Sequence, residues 1–278
     1  MADSDDAYHF LQPPGSQGRA DSCFRHRARI LLTKSYLYST IVLQVPPDLN
    51  YHRKYSHSHS GIHHWKLINM TVTELALLRL LPPTTVSTPS LMTTLTKGKT
   101  VMQNFTGRRF YYLQQIEDPA LIYVFGEWES LDQHMNGFVT SSENKELLDA
   151  LKDQVAIEWI VHLDVEHKDL PFAKEVSNGA KVYSIGRHFV KAGQKSDFTE
   201  AFRGNKHNLQ GYVTQGKIGG GWRVDKDGDK EEWVLFCPWK NVDEHMGFVN
   251  DEGFAEYAKI RDHIDDVDIK HATVIKEF

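Results

Sequence analysis

The chain repeats one of its own segments, and this repetition limits what it can fold into more than any other feature. Residues 128–139 read WESLDQHMNGFV, and residues 239–249 read WKNVDEHMGFV. The two segments share seven identical residues over eleven aligned positions when Asn136 is skipped, including a Trp, an Asp and a His at matched spacing. Helical or strand periodicity alone does not produce such a match, so we interpret it as an internal duplication.

The elements predicted around the two segments also follow one order. In residues 70–165 the apolar pattern predicts a strand, a helix, two strands, a helix and a final strand. Residues 166–179 contain Pro171 and an Asn-Gly pair and are interpreted as a linker. Residues 180–278 then repeat the first order. The sequence therefore predicts two βαββαβ units separated by a linker.

Each repeated segment contains the signal for the start of a helix. Ser130 is followed three residues later by Gln133, the spacing of a capping box. Asn241 and Glu244 hold the same two places in the second segment. We expect a capped helix to begin at the same point of both units.

The third strand of each unit is apolar on both faces. Ile122 and Val124 alternate with Tyr123 and Phe125, and the second unit follows the same pattern. One unit alone would leave an apolar sheet face larger than a monomer tolerates. We therefore predict an α+β fold in which two tandem ferredoxin-like units pack their antiparallel sheets face to face, as a pseudo-dimeric α/β barrel within one chain.

Residues 1–69 differ from everything that follows. They hold seven of the fifteen histidines and show no sustained amphipathic pattern. The His-rich tract at residues 51–65 lacks Cys and ordered flanking elements, so we interpret it as a solvated tail and predict no metal site. Residues 1–69 are expected to be a disordered extension.

Composition narrows the classes of partner. The net charge of −5 argues against nucleic acid as the main partner. Cys23 and Cys237 form no framework of paired cysteines, which indicates a reducing, cytoplasmic environment. The most apolar early stretch, residues 30–45, is interrupted by Lys34 and is shorter than the ~20 residues that span a bilayer. We expect no membrane partner.

The two βαββαβ units and the Trp-(x)5-His pattern resemble the dimeric α/β-barrel superfamily, and within it the antibiotic biosynthesis monooxygenase (ABM) group. Trp128 with His134 and Trp239 with His245 carry this resemblance, and a Phe follows each pair. The likeness spans both units and excludes residues 1–69. It implies that the chain is the internally fused form of a homodimer, which leaves a further homodimer open.

The resemblance places a ligand pocket between the helices and the sheet of each unit. His134 and His245 are expected to be catalytic, because the pKa of imidazole suits a general base. Strand-four His162 and His271 are interpreted as structural. The residues expected to bind substrate or to stabilise a developing oxyanion are Trp128, Trp239, Arg79, Arg187, Asn104, Tyr112 and Trp222. Arg187 is matched to Arg79, and Asn205 or Asn208 to Asn104.

Three functions are consistent with these residues. The first is a cofactor-independent monooxygenase that deprotonates a phenolic or polyketide-like small aromatic molecule before it reacts with O₂. The second is a haem-binding or haem-degrading enzyme with His134 or His245 as axial ligand. The third is a small-molecule-binding barrel without chemistry, because fold does not determine function.

The two units are expected to differ most along strand two. The first unit has Phe110-Tyr111-Tyr112 where the second has Gly220-Gly221-Trp222. We predict two unlike pockets, the second more open near Trp222.

Overall fold

A computed structural model describes residues 70–172, 180–225, 228 and 230–276, all of which belong to one compact unit. The predicted extension at residues 1–69 lies outside the described residues, as does the second half of the linker, residues 173–179. The first predicted unit comprises β1 (Val72–Leu80), α1 (Pro89–Thr106), β2 (Phe110–Gln115), β3 (Leu121–Trp128), a π-helix (Gln133–Phe138), α2 (Ser142–Leu151) and β4 (Val155–Leu163).

The second unit repeats this order with a more broken second helix. Its elements are β5 (Val182–Val190), α3 (Lys195–Tyr212), β6 (Gly219–Trp222), β7 (Glu231–Trp239), α4 (Val242–Gly247), α5 (Phe254–Tyr257) and β8 (Ile264–Val274). Short 3₁₀ turns at Phe248–Asn250 and Ala258–His263 interrupt the segment that the sequence predicted as one continuous helix. A further 3₁₀ turn, His167–Asp169, begins the linker.

The eight strands form one sheet in the order β4-β1-β3-β2-β8-β5-β7-β6. Each unit contributes four antiparallel strands, and β2 joins β8 at one seam between the units. At the other end of the order, β6 meets β4 through a bridge between Leu163 and Arg223 and a hydrogen bond from the Val224 amide to the His162 carbonyl, 2.8 Å long. The two end strands therefore meet, and the sheet closes into a barrel.

Side chains from both units fill the interior of this barrel. Leu75, Phe125, Val161, Ile185 and Phe236 belong to one buried cluster and are at most 2% exposed. Burial of each such side chain contributes about 1.5–3 kcal/mol relative to exposure. The predicted packing of two apolar sheet faces against each other is thus present.

The start of the linker enters the same interior. Phe172 is 1% exposed, and its ring lies 4.2 Å from that of Phe125 and 4.5 Å from that of Tyr183. Leu170 belongs to the same cluster. The linker therefore contributes to the core as well as joining the units.

The glycines of β6 do not open the second unit as the sequence predicted. A Cβ added at Gly219 would lie 2.2 Å from the carbonyl oxygen of Asp169 in the linker, and one at Gly220 would lie 2.3 Å from the carbonyl oxygen of Val234. Trp222 itself is buried, and its ring packs edge-on against Trp233 at 5.3 Å. The expectation of a more open pocket near Trp222 is wrong, because backbone and aromatic rings occupy the space that the glycines vacate.

Replacing Gly219 by Ala tests this close approach. Because the added methyl group meets backbone, Gly219→Ala should lower the free energy of unfolding by about 1–3 kcal/mol or more. Gly204→Ala is the matched control: the site lies inside α3 with nothing within 4 Å, so it should gain about 0.5–1 kcal/mol in helix propensity. Urea unfolding measures the free energy of unfolding of both variants. Equal changes in the two variants would contradict the close approach of the linker backbone to Gly219.

Candidate functional site

Each repeated segment stacks a His on a Trp between the sheet and the helices. The rings of Trp128 and His134 lie 4.1 Å apart and nearly parallel, and those of Trp239 and His245 lie 4.5 Å apart. All four side chains are buried. The structure therefore brings together the Trp and His that the repeat singled out, once in each unit.

The predicted capping boxes set the direction of these segments. The Gln133 amide donates to Ser130 Oγ at 3.1 Å, and Gln133 Oε1 accepts from the Glu129 amide at 2.9 Å. In the second unit the Glu244 amide donates to Asn241 Oδ1 at 2.8 Å, while the Glu244 carboxylate accepts from the Lys240 amide. Reciprocal caps of this kind fix where the chain leaves the strand and turns the His back over the Trp.

The extra residue in the first segment changes the helix that carries its histidine. With Asn136 inserted, Gln133–Phe138 forms a π-helix, and the Val139 amide donates to the His134 carbonyl five residues earlier. The second segment, which lacks this residue, forms the α-helix Val242–Gly247 instead. π-Helical turns are rare and frequently occur at functional sites. The insertion is therefore the first sign that the two sites are not equivalent.

A second histidine, from the last strand of the unit, extends each stack. His134 Nδ1 lies 2.6 Å from His162 Nε2, and His245 Nδ1 lies 2.7 Å from His271 Nε2. His162 and His271 are each 1% exposed. The sequence matched these two histidines but assigned them a structural role, and it did not predict that they bond the segment histidines.

An acid from the opposite unit completes each series. Asp225, at the end of β6, accepts from the backbone amide of His162 and lies 3.0 Å from His162 Nδ1. Glu117, after β2, accepts from the backbone amide of His271 and lies 2.7 Å from His271 Nδ1. We call these sets site A (Trp128, His134, His162, Asp225) and site B (Trp239, His245, His271, Glu117). Each site thus depends on both units.

When both imidazoles of site A are neutral, these contacts determine which ring nitrogen carries each proton. His162 Nδ1–H donates to the Asp225 carboxylate, so His162 Nε2 must accept. His134 Nδ1–H then donates to His162 Nε2, which leaves the lone pair on His134 Nε2. Burial lowers the pKa of His134 well below its usual value, so the ring is neutral at pH 7. The same reasoning leaves the lone pair on Nε2 of His245.

Site A has a buried carboxylate that site B lacks. Trp128 Nε1–H donates to Glu74 Oε2 at 2.7 Å, whereas Trp239 Nε1–H donates to Ser184 Oγ at 2.8 Å. His134 Nε2 lies 3.8 Å from the same Glu74 oxygen, beyond hydrogen-bond distance. Burial raises the pKa of Glu74, which favours the protonated acid. Site A therefore holds a buried carboxyl group and a proton acceptor next to each other.

The sequence analysis missed Glu74, although a signal was present. Val72, Glu74, Ala76 and Leu78 share one face of β1 by strand alternation, and that face is buried. An acid on an otherwise apolar buried face is unusual, because a buried charge is costly unless it is paired. Asp225 and Glu117 gave a weaker signal: both follow strand two at the same turn.

The acid of site A is also part of a longer ionic series. Arg223 Nε lies 3.1 Å from Asp225 Oδ1, and its Nη1 lies 3.4 Å from Glu232, which is 3% exposed. Glu232 in turn pairs with Arg187. In the first unit the place of Arg223 belongs to neutral Gln115, whose amide donates to the Tyr123 hydroxyl. The two acids therefore have different electrostatic surroundings.

The predicted arginines do not join either site. Arg79 lies at the end of β1 and pairs with Asp118 and Glu158, and Arg187 packs its guanidinium 4.1 Å from the centre of the Trp159 ring. By strand alternation, both arginines share the face of their strands that includes Leu77 and Ile185 and is directed to the barrel interior, opposite the histidines. Their matching was also wrong. Val72 pairs with Trp128 and Val182 with Trp239, so the register aligns Arg187 with Leu77.

The remaining predicted ligand residues are dispersed. Asn104 is exposed on α1. Tyr112 is buried between α1 and the sheet, and its hydroxyl donates to the Leu95 carbonyl at 3.0 Å. Trp222 belongs to an aromatic cluster with Phe198 and Trp233. Of the predicted substrate-binding residues, only Trp128 and Trp239 contact a candidate histidine.

One exposed ring covers the stack of site A. Phe105, on the last turn of α1, is 41% exposed and packs edge-on against Phe138 at 5.3 Å and Trp128 at 6.3 Å. Phe105 is the outermost aromatic ring between solvent and the Trp128–His134 stack.

Comparisons with solved structures agree with the architecture. No family model and no curated protein matches the chain. A candidate chlorite dismutase superposes with a TM-score of 0.51 at 9% identity, over 74% of this chain and 96% of its own. A candidate monooxygenase from Fusobacterium nucleatum superposes with a TM-score of 0.50 at 12% identity, over 74% and 93%. At such identities the likeness shows the fold alone, and the predicted α/β barrel of two ferredoxin-like units is confirmed.

None of the helices in the described part of the chain is long and apolar enough to cross a membrane. No three His, Cys, Asp or Glu side chains among the described residues are grouped as metal ligands. The histidines of sites A and B are instead arranged in hydrogen-bonded series.

Removing an acid should weaken the seam that it crosses. Asp225→Ala leaves the buried amide and ring N–H of His162 without an acceptor, so we expect a loss of about 1–3 kcal/mol in the free energy of unfolding. Glu117→Ala is the pseudo-symmetric partner and should cost a similar amount at the other seam. Urea unfolding measures both variants, and Asp243→Ala, at an exposed position, is the control. An equal loss of unfolding free energy in the control would contradict the assignment.

Acid should destabilise the protein through its buried histidines. Burial lowers the pKa of His245 to about 3 from its ordinary 6.5. Below pH 6.5, His245 therefore binds a proton in the unfolded chain but not in the folded chain. Stability falls by about 1.4 kcal/mol per pH unit for this group until about pH 3. His245→Gln should reduce the slope of unfolding free energy against pH by about one proton between pH 6 and 5, and an unchanged slope in urea unfolding would contradict this assignment.

Proposed function

We propose that the chain is a cofactor-independent monooxygenase of small phenolic or polyketide-like aromatic molecules, and that site A carries the reaction. The observation that carries this proposal is the buried series Glu74, His134, His162 and Asp225 against the face of Trp128. Such a series supplies a neutral base with an available lone pair and a carboxyl group beside it. These are the groups that proton abstraction from an acidic carbon or phenol requires.

The reaction divides between the substrate and the protein. His134 Nε2 takes the proton of the substrate, and the resulting imidazolium is stabilised by its bond to His162 and, through it, by Asp225. The substrate anion is electron-rich and reduces O₂ itself. For a methylene that becomes a carbonyl, one oxygen atom enters the product and the other leaves as water, so that no external electron donor is needed.

The proximity of Glu74 supports this division. While His134 is neutral, burial raises the pKa of Glu74 and favours its protonated form. Once His134 holds the substrate's proton, Glu74 gives its own proton to the oxygen atom that leaves as water, and the carboxylate pairs with the imidazolium in a medium of low dielectric constant. Return of a proton from His134 to Glu74 restores both groups. Ser184 cannot provide this compensation in site B.

The substrate reaches site A past Phe105. A flat aromatic ring that displaces Phe105 would stack in its place against Trp128 and Phe138, where ring centres now lie 5–6 Å apart. Gly137 of the π-helix lies next to this ring, and a Cβ there would be in ordinary van der Waals contact with Phe105 at 3.4 Å. Entry thus depends on the side of the helix that the Asn136 insertion remodels.

We also propose that the two units arose by duplication of one ABM-like unit, and that site B retains the architecture without the reaction. The matched segments, the matched caps and the reciprocal acids support a common ancestor. Two differences support the loss of the reaction in site B. Ser184 stands where site A has Glu74, and the second segment has no residue that matches Asn136. Site B then serves mainly to hold the second seam.

Oxygen uptake with a panel of anthrone-type phenols tests the proposal. His134→Gln removes the base and should lower kcat/KM by about 10²–10⁴-fold, the usual contribution of a general base. Glu74→Gln should lower kcat while changing KM little, because it removes charge compensation and keeps the shape. His245→Gln is the matched control in site B and should change kcat/KM by less than about twofold.

Two results would remove this proposal. One is oxygen uptake that the wild-type protein does not accelerate for any member of the panel. The other is an equal loss of activity in the His134 and His245 variants, which would indicate damage to the fold. Circular dichroism and the midpoint of urea unfolding verify that each variant is folded.

Haem binding is the alternative function, and a separate titration distinguishes it from the proposed oxygenase. An axial ligand needs a ring nitrogen directed at iron, whereas His134 Nε2 lies 3.8 Å from the Glu74 carboxylate and its ring is covered by Trp128. These residues fit a proton acceptor better than an axial ligand. Titration with ferric haem decides, because a Soret band lost on His134→Gln or on His245→Gln would favour haem over direct deprotonation.

A further inference from the structure

Arg223 bridges the acid of site A and an acid of the barrel interior. Its Nε lies 3.1 Å from Asp225 Oδ1, and its Nη1 lies 3.4 Å from Glu232 Oε2. The two contacts use different nitrogens of one planar guanidinium, so Arg223 makes both at once. Arg223 and Asp225 are two residues apart just after β6, a spacing that directs both side chains of an extended chain to one face. The chain therefore places a cation next to the acid that bonds His162.

The guanidinium is also fixed from the side of the barrel interior. The Arg223 amide donates to the Glu232 carbonyl at 2.9 Å, which joins the backbones of the two residues. Glu232 is 3% exposed, and its other carboxylate oxygen accepts from Arg187 Nε at 2.5 Å. Arg187 in turn lies over the Trp159 ring. Because its partner is held in the interior, Arg223 keeps a fixed place beside Asp225.

The fold does not require a cation at this place. The matching position at the other seam is Gln115, which is neutral, and that seam closes as well. Glu232 does not require Arg223 either, because Arg187 pairs with it. The Arg223–Asp225 pair is partly exposed, and partly exposed ion pairs contribute little to stability. The arginine therefore points to an effect on site A.

Asp225 is connected to the candidate base through one imidazole ring. Its Oδ1 accepts from the His162 amide, and its Oδ2 lies 3.0 Å from His162 Nδ1. His162 Nε2 lies 2.6 Å from His134 Nδ1. We call His134 and His162 the histidine pair. The charge of Asp225 therefore acts on both rings of this pair.

Few ionisable groups face the histidine pair. Among the described residues, the acids nearest its ring nitrogens are Glu74 at 3.8 Å and Asp225 at 3.0 Å. Burial raises the pKa of Glu74 and favours its neutral form. The other rings that contact His134, those of Trp128 and Phe138, do not titrate. Asp225 is therefore the main carboxylate that attracts a proton to the pair.

Arg223 balances the charge of this carboxylate. The ionic series that begins at the pair consists of Asp225, Arg223, Glu232 and Arg187. Its two acids and two arginines make it neutral as a whole. Without Arg223, two acids and one arginine would leave a net charge of −1 next to the pair. A nearby negative charge favours the protonated form of an imidazole.

We propose that Arg223 is a positioning residue of site A, which acts through Asp225: by offsetting the charge of that carboxylate, it keeps the histidine pair neutral and His134 Nε2 able to accept a proton. An imidazole acts as a base only while it is neutral. The use of His134 in catalysis rests on the proposed oxygenase function, whereas the effect of Arg223 on the pair does not.

NMR titration of the histidine pair tests the proposal without substrate. The ring ¹⁵N signals of the pair are assigned by their loss in His134→Gln and His162→Gln. Arg223→Met removes the cation, while Asp225 keeps its two bonds to His162. The pair, which titrates as a unit, should then gain its first proton at a higher pH. The expected rise is about 1–2 pH units for a unit charge about 8 Å away at an effective dielectric constant of about 20.

Three comparisons identify the cause of this change. Arg79 also bridges two acids, Asp118 and Glu158, but it lies outside both sites, so Arg79→Met should leave the titration of the pair unchanged. Arg223→Lys keeps the cation and should restore most of the wild-type titration. The histidines of site B, at the other seam, are an internal control in the same spectra and should not change in Arg223→Met.

The pH dependence of oxygen uptake gives a second readout. In Arg223→Met the acidic limb of kcat/KM should move to higher pH by the same amount as the NMR titration, because both report protonation of the free enzyme. A merely structural role would lower kcat/KM at every pH and leave the limb in place.

The proposal is overturned if the pair titrates in Arg223→Met as it does in the wild-type protein, or if Arg79→Met changes the titration equally. It is also overturned if Arg223→Lys behaves like Arg223→Met, since the charge would then not be the cause. Urea unfolding verifies that each variant is folded. A wild-type protein that does not accelerate oxygen uptake would remove the proposed function, while the NMR titration would still decide the role of Arg223.

Discussion

The structure depends on the burial of both faces of each four-stranded sheet. Among the described residues, one face of each four-stranded half of the sheet is covered by helices of its own unit, while the other is covered by the second unit and by the linker residues Leu170 and Phe172. Burial of apolar surface contributes about 25 cal/mol per Å², so this face favours association of the units. Everything that joins the two units, including the acids at their seams, follows from that packing.

Closing the barrel places polar groups where the apolar faces end. At each seam a strand-two end of one unit meets strand four of the other, and the acid that follows strand two lies under the histidine of strand four. A buried imidazole pair needs an acceptor at its far end, because an unpaired ring N–H would cost about 1–3 kcal/mol. The seam supplies that acceptor twice. The candidate sites therefore form where the barrel closes. Site A differs from site B in three features: Glu74, the Asn136 insertion and the arginine beside Asp225.

The sequence was informative wherever the relevant interaction was local or periodic. The repeat at Trp128 and Trp239 gave the two units, their order of elements and their capped helices, and strand alternation gave the face-to-face packing. The same alternation places Glu74 on the apolar face of β1, so this acid was also predictable from the sequence. By contrast, the acids at positions 117 and 225 contact histidines 154 and 63 residues away, and no local pattern reports such a contact. A matching motif also does not reveal the register of β5 against β7. Arg187 was therefore aligned with Arg79 rather than with Leu77.

The exchange of acids across the seams has a genetic consequence. Each site is encoded in two separated parts of the chain, so the boundary between folding units is not the boundary between functional units. In a homodimer of identical units, a substitution would alter both sites at once. With both units in one chain, a change at position 74 or 184 alters one site only, whereas a change in a strand-two turn acts on the site of the other half. This arrangement permits the two sites to differ, while the shared seams keep either half from changing alone.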